Sequence, residues 1–244
     1  MIIKAPTQAD LPALKSLWQQ AFGDPIGFIE GFFQTGYNPD RSLVLCDGET
    51  IAAVAYWFDC LWEGKKCAYV YGVATASAYQ GKGLCRALMT QLQQQLTAGG
   101  YVGAILVPAK EGLFSLYQKL GYAPFCPMKK QTFYPANAVC VTHAPAEQYT
   151  PAGSVIHTSD ALLFLETYCK FYSGDGFRCW GAVEDATLYI QEFVGDAACI
   201  SGICAGLGAE KAVCRIYGSG NDYAMYLPLR DPDFHPSYFG IPLD

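Results

Sequence analysis

Charged residues are scarce in this 244-residue sequence, of which they make up 16%, and no run of Lys and Arg occurs. The densest basic spots are the pairs Lys65-Lys66 and Lys129-Lys130, and the formal net charge is −6. Because phosphate contacts need clustered basic side chains, these absences argue against nucleic acid as a partner. The acidic balance favours encounter with a cationic partner such as an amine.

Long apolar runs and targeting signals are also missing. No uninterrupted apolar stretch approaches the roughly 18 residues that a membrane-spanning helix needs. The segment Met1 to Pro6 lacks the basic stretch followed by an apolar stretch that marks a signal peptide. We therefore predict a globular protein without a membrane partner, in line with its 52% of hydrophobic residues.

Cysteines with the spacing of a metal or redox site are absent. None of the eleven forms a C-x-x-C pair, and the nearest two, Cys199 and Cys204, are five apart. Zinc ribbons and thioredoxin motifs need the tighter spacing, so we predict no metal. An odd number of cysteines without a signal peptide predicts a cytoplasmic location.

The apolar periodicity of the first 134 residues predicts alternating strands and helices. Helix 11–22, for example, places Leu14, Leu17 and Trp18 on one face. The predicted elements are, in order, strand 1–5, helix 11–22, helix 26–34, strands 42–46, 51–61 and 67–75, helix 83–98, strand 101–107, helix 111–120, and one or two strands within 123–134.

Residues 135–154 show no helical or strand-like apolar periodicity, because Pro and Gly residues interrupt the segment. We predict that they connect a domain of residues 1–134 to a second, smaller α+β domain of residues 155–244. The elements predicted for that second domain are helices 159–171 and 196–207 and strands 187–193, 212–217 and 223–229. Two strand–helix–strand stretches, 67–107 and 187–217, leave two interpretations open: a degenerate repeat of the first domain, or an unrelated extension.

The most informative segment runs from Val73 to Leu88, where a predicted strand enters a turn with Gly81 and Gly83 that opens a helix. The first backbone N–H groups of a helix have no internal partner, and the helix dipole favours an anion beside them. Glycines let a phosphate approach the backbone closely. The segment therefore predicts a site for a phosphate or pyrophosphate.

The sequence lacks residues that two common nucleotide-binding motifs require. The P-loop string G-x-x-x-x-G-K-[ST] does not occur. A dinucleotide fingerprint needs a third glycine where Arg86 stands, and an acidic residue in or after strand 101–107, which contains none. Neither class explains the loop.

The string Gln80-Gly81-Lys82-Gly83-Leu84-Cys85 resembles the Q/R-x-x-G-x-G/A signature of the GNAT N-acetyltransferases. The string from Leu116 to Tyr122 is similar to the tyrosine-containing one that members carry on a later short helix. Gly72 to Thr75, the aromatic-rich second helix and the C-terminal extension look like the Eis-like (enhanced intracellular survival) subgroup. The resemblance covers residues 1–134. Cys85 stands where Gly or Ala is usual, and Ser77 where Pro is common.

The resemblance implies a mixed α/β sheet of the GNAT fold and acetyl-CoA as co-substrate. It implies that Val73 and Thr75 offer backbone groups to the pantetheine arm. It assigns the pyrophosphate to Gln80, Gly81, Lys82, Gly83, Leu84 and Cys85. Tyr117 is the implied general acid, which protonates the departing thiolate; a phenol suits that role.

The implied reaction is direct attack on the thioester by a primary amine of a small molecule or peptide. The general base stays open among Glu30, Asp59 and Glu111, and the resemblance adds the terminal carboxylate of Asp244. We predict structural roles for His143, His157 and His235. A non-catalytic acyl-CoA sensor, a degenerate scaffold and a pure interaction module are the alternatives. The sequence leaves the acceptor, the acyl length and homo-oligomerisation open.

Overall fold

The computed structural model describes residues 1–243, and they build one mixed sheet of thirteen strands with six α-helices. The strands are β1 (Ile2–Lys4), β2 (Ser42–Asp47), β3 (Thr50–Trp62), β4 (Lys65–Thr75), β5 (Gly103–Leu106), β6 (Ala123–Phe133), β7 (Thr142–His143), β8 (Val155–His157), β9 (Lys170–Gly174), β10 (Phe177–Glu184), β11 (Thr187–Gly195), β12 (Lys211–Tyr217) and β13 (Asn221–Pro228). The helices are α1 (Leu11–Phe22), α2 (Ile26–Gly31), α3 (Leu84–Ala98), α4 (Phe114–Gln118), α5 (Ser159–Glu166) and α6 (Cys199–Gly206).

From each end of the sheet, the first five strands follow one another in chain order. It runs β1-β2-β3-β4-β5-β13-β6-β12-β11-β10-β9-β7, with β8 added beside β3. In the first half, the antiparallel strands β2, β3 and β4 lead through α3 to β5, which is parallel to β4. In the second half, β9, β10 and β11 lead through α6 to β12, which is parallel to β11. This order matches the repeat interpretation of the two strand–helix–strand stretches.

The last strand of each half pairs with the other half. Strand β13 lies between β5 and β6, and β6 in turn pairs with β12. One sheet therefore runs through both predicted domains, and a strand from residues 155–244 completes the sheet of residues 1–134.

The two faces of the sheet carry separate cores, since successive side chains of a strand point to opposite faces. Along β3, Ala53, Ala55 and Trp57 pack beneath α3. The alternating residues Val54, Tyr56 and Phe58 pack beneath α1, α2 and α5. The second of these cores also encloses the tail after β13, in which Phe234, Phe239, Ile241 and Leu243 are buried.

The element predictions hold in the first half and fail in one part of the second. Helix 26–34 is present as α2, continued by a π-helical turn at Phe32–Gly36. Helix 159–171 was wrong at its end, because α5 stops at Glu166 and Lys170–Gly174 forms β9. No Gly or Pro separates α5 from β9, so the apolar pattern runs on without a break. Strands β8, β9 and β10 were not predicted.

Candidate active site

Strands β4 and β5 part in the middle of the sheet. They pair only where Ala68–Val70 faces Ala104–Leu106, although β4 continues to Thr75. On its other edge β4 carries a bulge: Tyr56 pairs with Tyr71 and Val54 with Ala74, so Gly72 and Val73 together oppose one residue of β3. The segment from Tyr71 to Thr75 therefore borders an opening in the sheet.

The bulge requires a glycine at position 72. The φ angle of Gly72 is +58°, a conformation that residues with a side chain rarely adopt. A Cβ atom there would lie 2.9 Å from the Tyr56 ring and 3.2 Å from the Trp18 ring. The backbone of β4 is thus turned at the point where the sheet opens.

The predicted phosphate loop follows directly from the end of β4. Gly81 and Gly83 have φ angles of +73° and +76°, and a Cβ built at either would meet no atom within 4 Å. The Gln80 amide donates a 3.1 Å hydrogen bond to the carbonyl of Thr75, which ties the loop to the strand. The structure brings all eight predicted cofactor residues onto this strand end, loop and first helical turn.

The chemistry of the loop suits a polyanion. Between Ser77 and Arg86 there is no acidic residue, whereas Lys82 and Arg86 are both exposed. Cys85 is half-buried and packs with Leu84 against the core beneath α3. Burial raises the pKa of the Cys85 thiol, so the thiol stays neutral beside a bound anion.

Tyr117 lies on α4, and its side chain is 7% exposed in the same core. Burial raises the pKa of the Tyr117 hydroxyl, and the neighbouring Cys85 raises it further. Tyr117 and Cys85 of the loop pack into this same core. Within residues 1–243 the hydroxyl makes no hydrogen bond, whereas the Tyr117 carbonyl accepts bonds from the N–H groups of Leu120 and Tyr122, at 2.9 and 3.1 Å.

A cleft of about 640 Å³ opens beside the bulge, and we call it the acceptor cleft. Both halves of the chain line it: the end of α1 and the turn to α2, the bulge of β4, the segment after β5, the segment after α5, the end of β10 and the first part of β11. Its aromatic lining comprises Trp18, Phe22, Phe28, Tyr69, Tyr71, Tyr168 and Tyr189. A volume of this size and an apolar lining are typical of small-molecule sites.

None of the three candidate bases in the first half lines the acceptor cleft. Glu30 is paired with Lys15 at 2.6 Å, and Glu111 is exposed. Asp59 is held by Tyr101, whose hydroxyl donates a 2.5 Å bond to it, and by Arg41 and Lys66. Asp244 lies outside the described residues.

None of the three histidines lines the cleft. His157 is buried, with Nε2 2.6 Å from the carbonyl of Ile241, and burial lowers its pKa to about 4. His143 packs on Tyr172, and His235 contacts the Tyr226 hydroxyl at 2.5 Å.

The carboxylates that do line the cleft, Asp24 and Glu184, were not singled out from the sequence. Glu184 ends β10, a strand that was not predicted, so nothing placed it near β4. Asp24 lies in the turn after α1, and only the fold brings that turn to the bulge.

Strand β4, the glycine loop and the start of α3 form the strand–loop–helix arrangement that the resemblance to the acetyltransferases predicted. The family model for this class, the acetyltransferase (GNAT) domain, matches residues 2–125. The chain belongs to the GNAT acetyltransferase family, whose general chemistry is acetyl-CoA-dependent acetyl transfer. No curated protein matches the sequence significantly.

Solved structures share the fold over both halves. A GCN5-related N-acetyltransferase from Kribbella flavida is 17% identical with a TM-score of 0.68, covering 94% of this chain and 71% of that one. Eis1 from Mycobacterium abscessus is 12% identical with a TM-score of 0.64, covering 94% and 74%. A GCN5-related N-acetyltransferase from Sphaerobacter thermophilus is 12% identical with a TM-score of 0.57, covering 97% and 98%. The GNAT fold and the resemblance to Eis-like proteins are confirmed.

Two further observations concern the part of the chain that the structure describes. Its His, Cys, Asp and Glu side chains form no group of three suited to a metal ion. None of the helices in residues 1–243 has the length and apolar character needed to cross a membrane.

Proposed function

We propose that this protein transfers an acetyl group from acetyl-CoA to a primary amine of a small molecule or peptide bound in the acceptor cleft. The observation that carries the proposal is the continuity of β4. Its segment Tyr71–Thr75 has the acceptor cleft at one end and the glycine loop at the other. Two ligands bound at these ends would meet along the opened edge of the sheet.

Each predicted cofactor residue has a role that its position supports. The N–H groups of the loop and first turn, from Gln80 to Cys85, hold the pyrophosphate, with Lys82 and Arg86 adding charge. Backbone groups of Val73 and Thr75 bind the pantetheine arm as an added strand would. When bound, acetyl-CoA supplies an acetyl group activated as a thioester.

Tyr117 holds the proton that the leaving sulfur atom receives. Because burial raises the pKa of its hydroxyl, the proton is retained at neutral and mildly alkaline pH. Its freedom from other hydrogen bonds within the described residues leaves the O–H available to a ligand. General acids of this kind contribute roughly 10²–10⁴-fold to rate.

The test is binding of acetyl-CoA, measured by calorimetry and by thermal shift. At 100 times the dissociation constant, binding should add about 2.7 kcal/mol to stability, or roughly 5–10 °C in Tm. A Gly83→Asp variant should lose at least about 100-fold in affinity, since its carboxylate faces the pyrophosphate. Asp tolerates the left-handed conformation of position 83, so the fold should persist.

The matched control is Gly208→Asp. Gly208 has a φ of +70° and equally open surroundings, but it lies in the second half after α6. It should bind acetyl-CoA as the wild type does. Equal affinity of Gly83→Asp and wild type would overturn the cofactor site. Binding without release of CoA thiol in the presence of any amine, with Tyr117→Phe behaving as wild type, would identify an acyl-CoA sensor instead.

A further inference from the structure

The acceptor cleft carries charge of one sign. Among the described residues that line it, Asp24 and Glu184 are the charged ones, and no Lys, Arg or His takes part. Neither carboxylate has an ion-pair partner within residues 1–243. A cleft with two negative groups and no counter-charge attracts a cationic ligand.

Asp24 is fixed close to the bulge of β4. Its carboxylate accepts a 2.7 Å hydrogen bond from the indole N–H of Trp18, which is almost fully buried. The Trp18 ring in turn lies against Gly72, 3.2 Å from where a Cβ would stand. Asp24 is therefore on the side of the cleft where the proposed transfer takes place.

Glu184 belongs to the other half of the chain and to the mouth of the cleft. It is exposed at the end of β10, where it pairs in register with Thr187 across the turn Asp185-Ala186. Both turn residues have positive φ angles, 45° and 56°, which fit a tight two-residue hairpin. The hairpin fixes the backbone position of Glu184 at the edge of the cleft.

Aromatic rings line the same cleft as these two carboxylates. Phe22, Phe28 and Trp18 come from the first half, and Tyr168 and Tyr189 from the second. Rings bind an apolar body by burial and attract a cation through their faces. A highly polar polyol would bury little apolar surface against these rings.

We propose that the acceptor is a diamine with an aromatic or aliphatic body, and that Glu184 selects it by binding the ammonium group that does not react. Asp24 attracts the amine that is acetylated, and the rings bind the body between the two. This inference rests on the proposed function for the identity of the reacting amine. The recognition of a second cation by Glu184 is a property of the cleft and is measurable without acetyl-CoA.

Two probes that differ by one amine test it: 1,4-bis(aminomethyl)benzene and 4-methylbenzylamine. Calorimetry on the wild type without acetyl-CoA should give about tenfold tighter binding of the diamine, a difference of about 1.4 kcal/mol. Glu184→Gln should abolish that preference by weakening the diamine about tenfold. Asp185→Asn removes the same charge one residue further on, outside the cleft lining, and should keep the preference.

The outcomes separate the two proposals. Equal binding of both probes by the wild type, or a preference that survives in Glu184→Gln, overturns the role of Glu184. Release of CoA thiol with both probes at equal kcat/KM rejects the diamine preference and leaves acetyl transfer standing. Diamine binding that depends on Glu184 without any thiol release supports the recognition and rejects the transfer reaction.

Discussion

The Tyr71 hydroxyl donates a 2.7 Å hydrogen bond to the backbone carbonyl of Leu243. Two residues earlier on β4, the Tyr69 hydroxyl donates to the carbonyl of Pro242. Both tyrosines line the acceptor cleft, and Leu243 is fully buried. The floor of the cleft is therefore held in place by the last described residues of the chain.

Replacing Tyr71 with Phe should loosen this floor. Loss of the bond leaves the Leu243 carbonyl without this donor and should cost about 1 kcal/mol, or roughly 2–4 °C in Tm. KM for the amine should rise while the Kd of acetyl-CoA stays unchanged. The control is Tyr217→Phe, which removes an exposed 3.2 Å bond to the Ser237 carbonyl, outside the cleft. An unchanged amine KM in Tyr71→Phe would separate the tail from acceptor binding.

Replacing Tyr117 with Phe should lower kcat by about 10²-fold or more without weakening acetyl-CoA binding. The fold should tolerate the change, because the hydroxyl makes no hydrogen bond within residues 1–243. Tyr122→Phe is the control, since its ring packs 6.0 Å from that of Tyr117 and is also buried. Single-turnover release of CoA thiol measures the effect. Equal losses in both variants would indicate a packing defect rather than a lost acid.

The same hydroxyl predicts the alkaline side of the pH–rate profile. The pKa of Tyr117 lies above its ordinary value of 10.0, so the proton-donating form persists to higher pH than in a free tyrosine. The rate should rise as the acceptor amine loses its proton and should not fall again below about pH 10. A descending limb near pH 8 would contradict the assignment of Tyr117 as the acid.

Gly72→Ala should distort the bulge of β4. The new Cβ would meet the Tyr56 and Trp18 rings, and the positive φ adds strain, so we expect a loss of about 2–4 kcal/mol in unfolding free energy. Gly64→Ala is the matched control: its φ is +73°, but no atom lies within 4 Å of its Cβ position. It should cost only about 1 kcal/mol, from backbone strain. Equal losses in the two variants, measured by urea denaturation, would show that the Tyr56 and Trp18 rings move to accommodate the new Cβ.

Much of the first half follows from local signals. The apolar stripe of α1 and the turn at Gly23 give its bounds, and Gly81 and Gly83 mark the loop before α3. The proposed cofactor residues all lie between Val73 and Cys85, so one short segment of sequence indicates them. No periodicity relates Tyr117 to the loop, so only the family resemblance predicts that the two act at one site.

The acceptor cleft could not be predicted in this way. Its walls come from residues as distant as Trp18 and Gln191, and they meet because β13 and β6 pair with the opposite half. The pair Asp175-Gly176, which joins β9 to β10, is the local signal that indicates a hairpin here. Without β10, nothing places Glu184 at the cleft.

Two buried titratable groups, Glu192 and His157, contact the tail after β13, and their pKa values are shifted in opposite directions. The Glu192 carboxylate accepts a 3.0 Å bond from the Tyr238 hydroxyl and a 3.1 Å bond from the N–H of Tyr149, and burial raises its pKa to about 7. His157 contacts the Ile241 carbonyl, and burial lowers its pKa to about 4. Each group is therefore favoured in its neutral form within the fold.

These shifts predict opposite effects on stability as pH changes. Since Glu192 binds its proton more tightly when folded, unfolding free energy should fall as pH rises from its ordinary value of 4.5 to about 7, by roughly 3 kcal/mol. His157 binds its proton less tightly when folded, so its contribution rises between about 4 and 6.5. The two oppose each other in wild type. Glu192→Gln removes the fall, so the unfolding free energy of the variant relative to wild type should rise between about pH 4.5 and pH 7 in urea titrations. Parallel profiles would show that Glu192 titrates alike in both states.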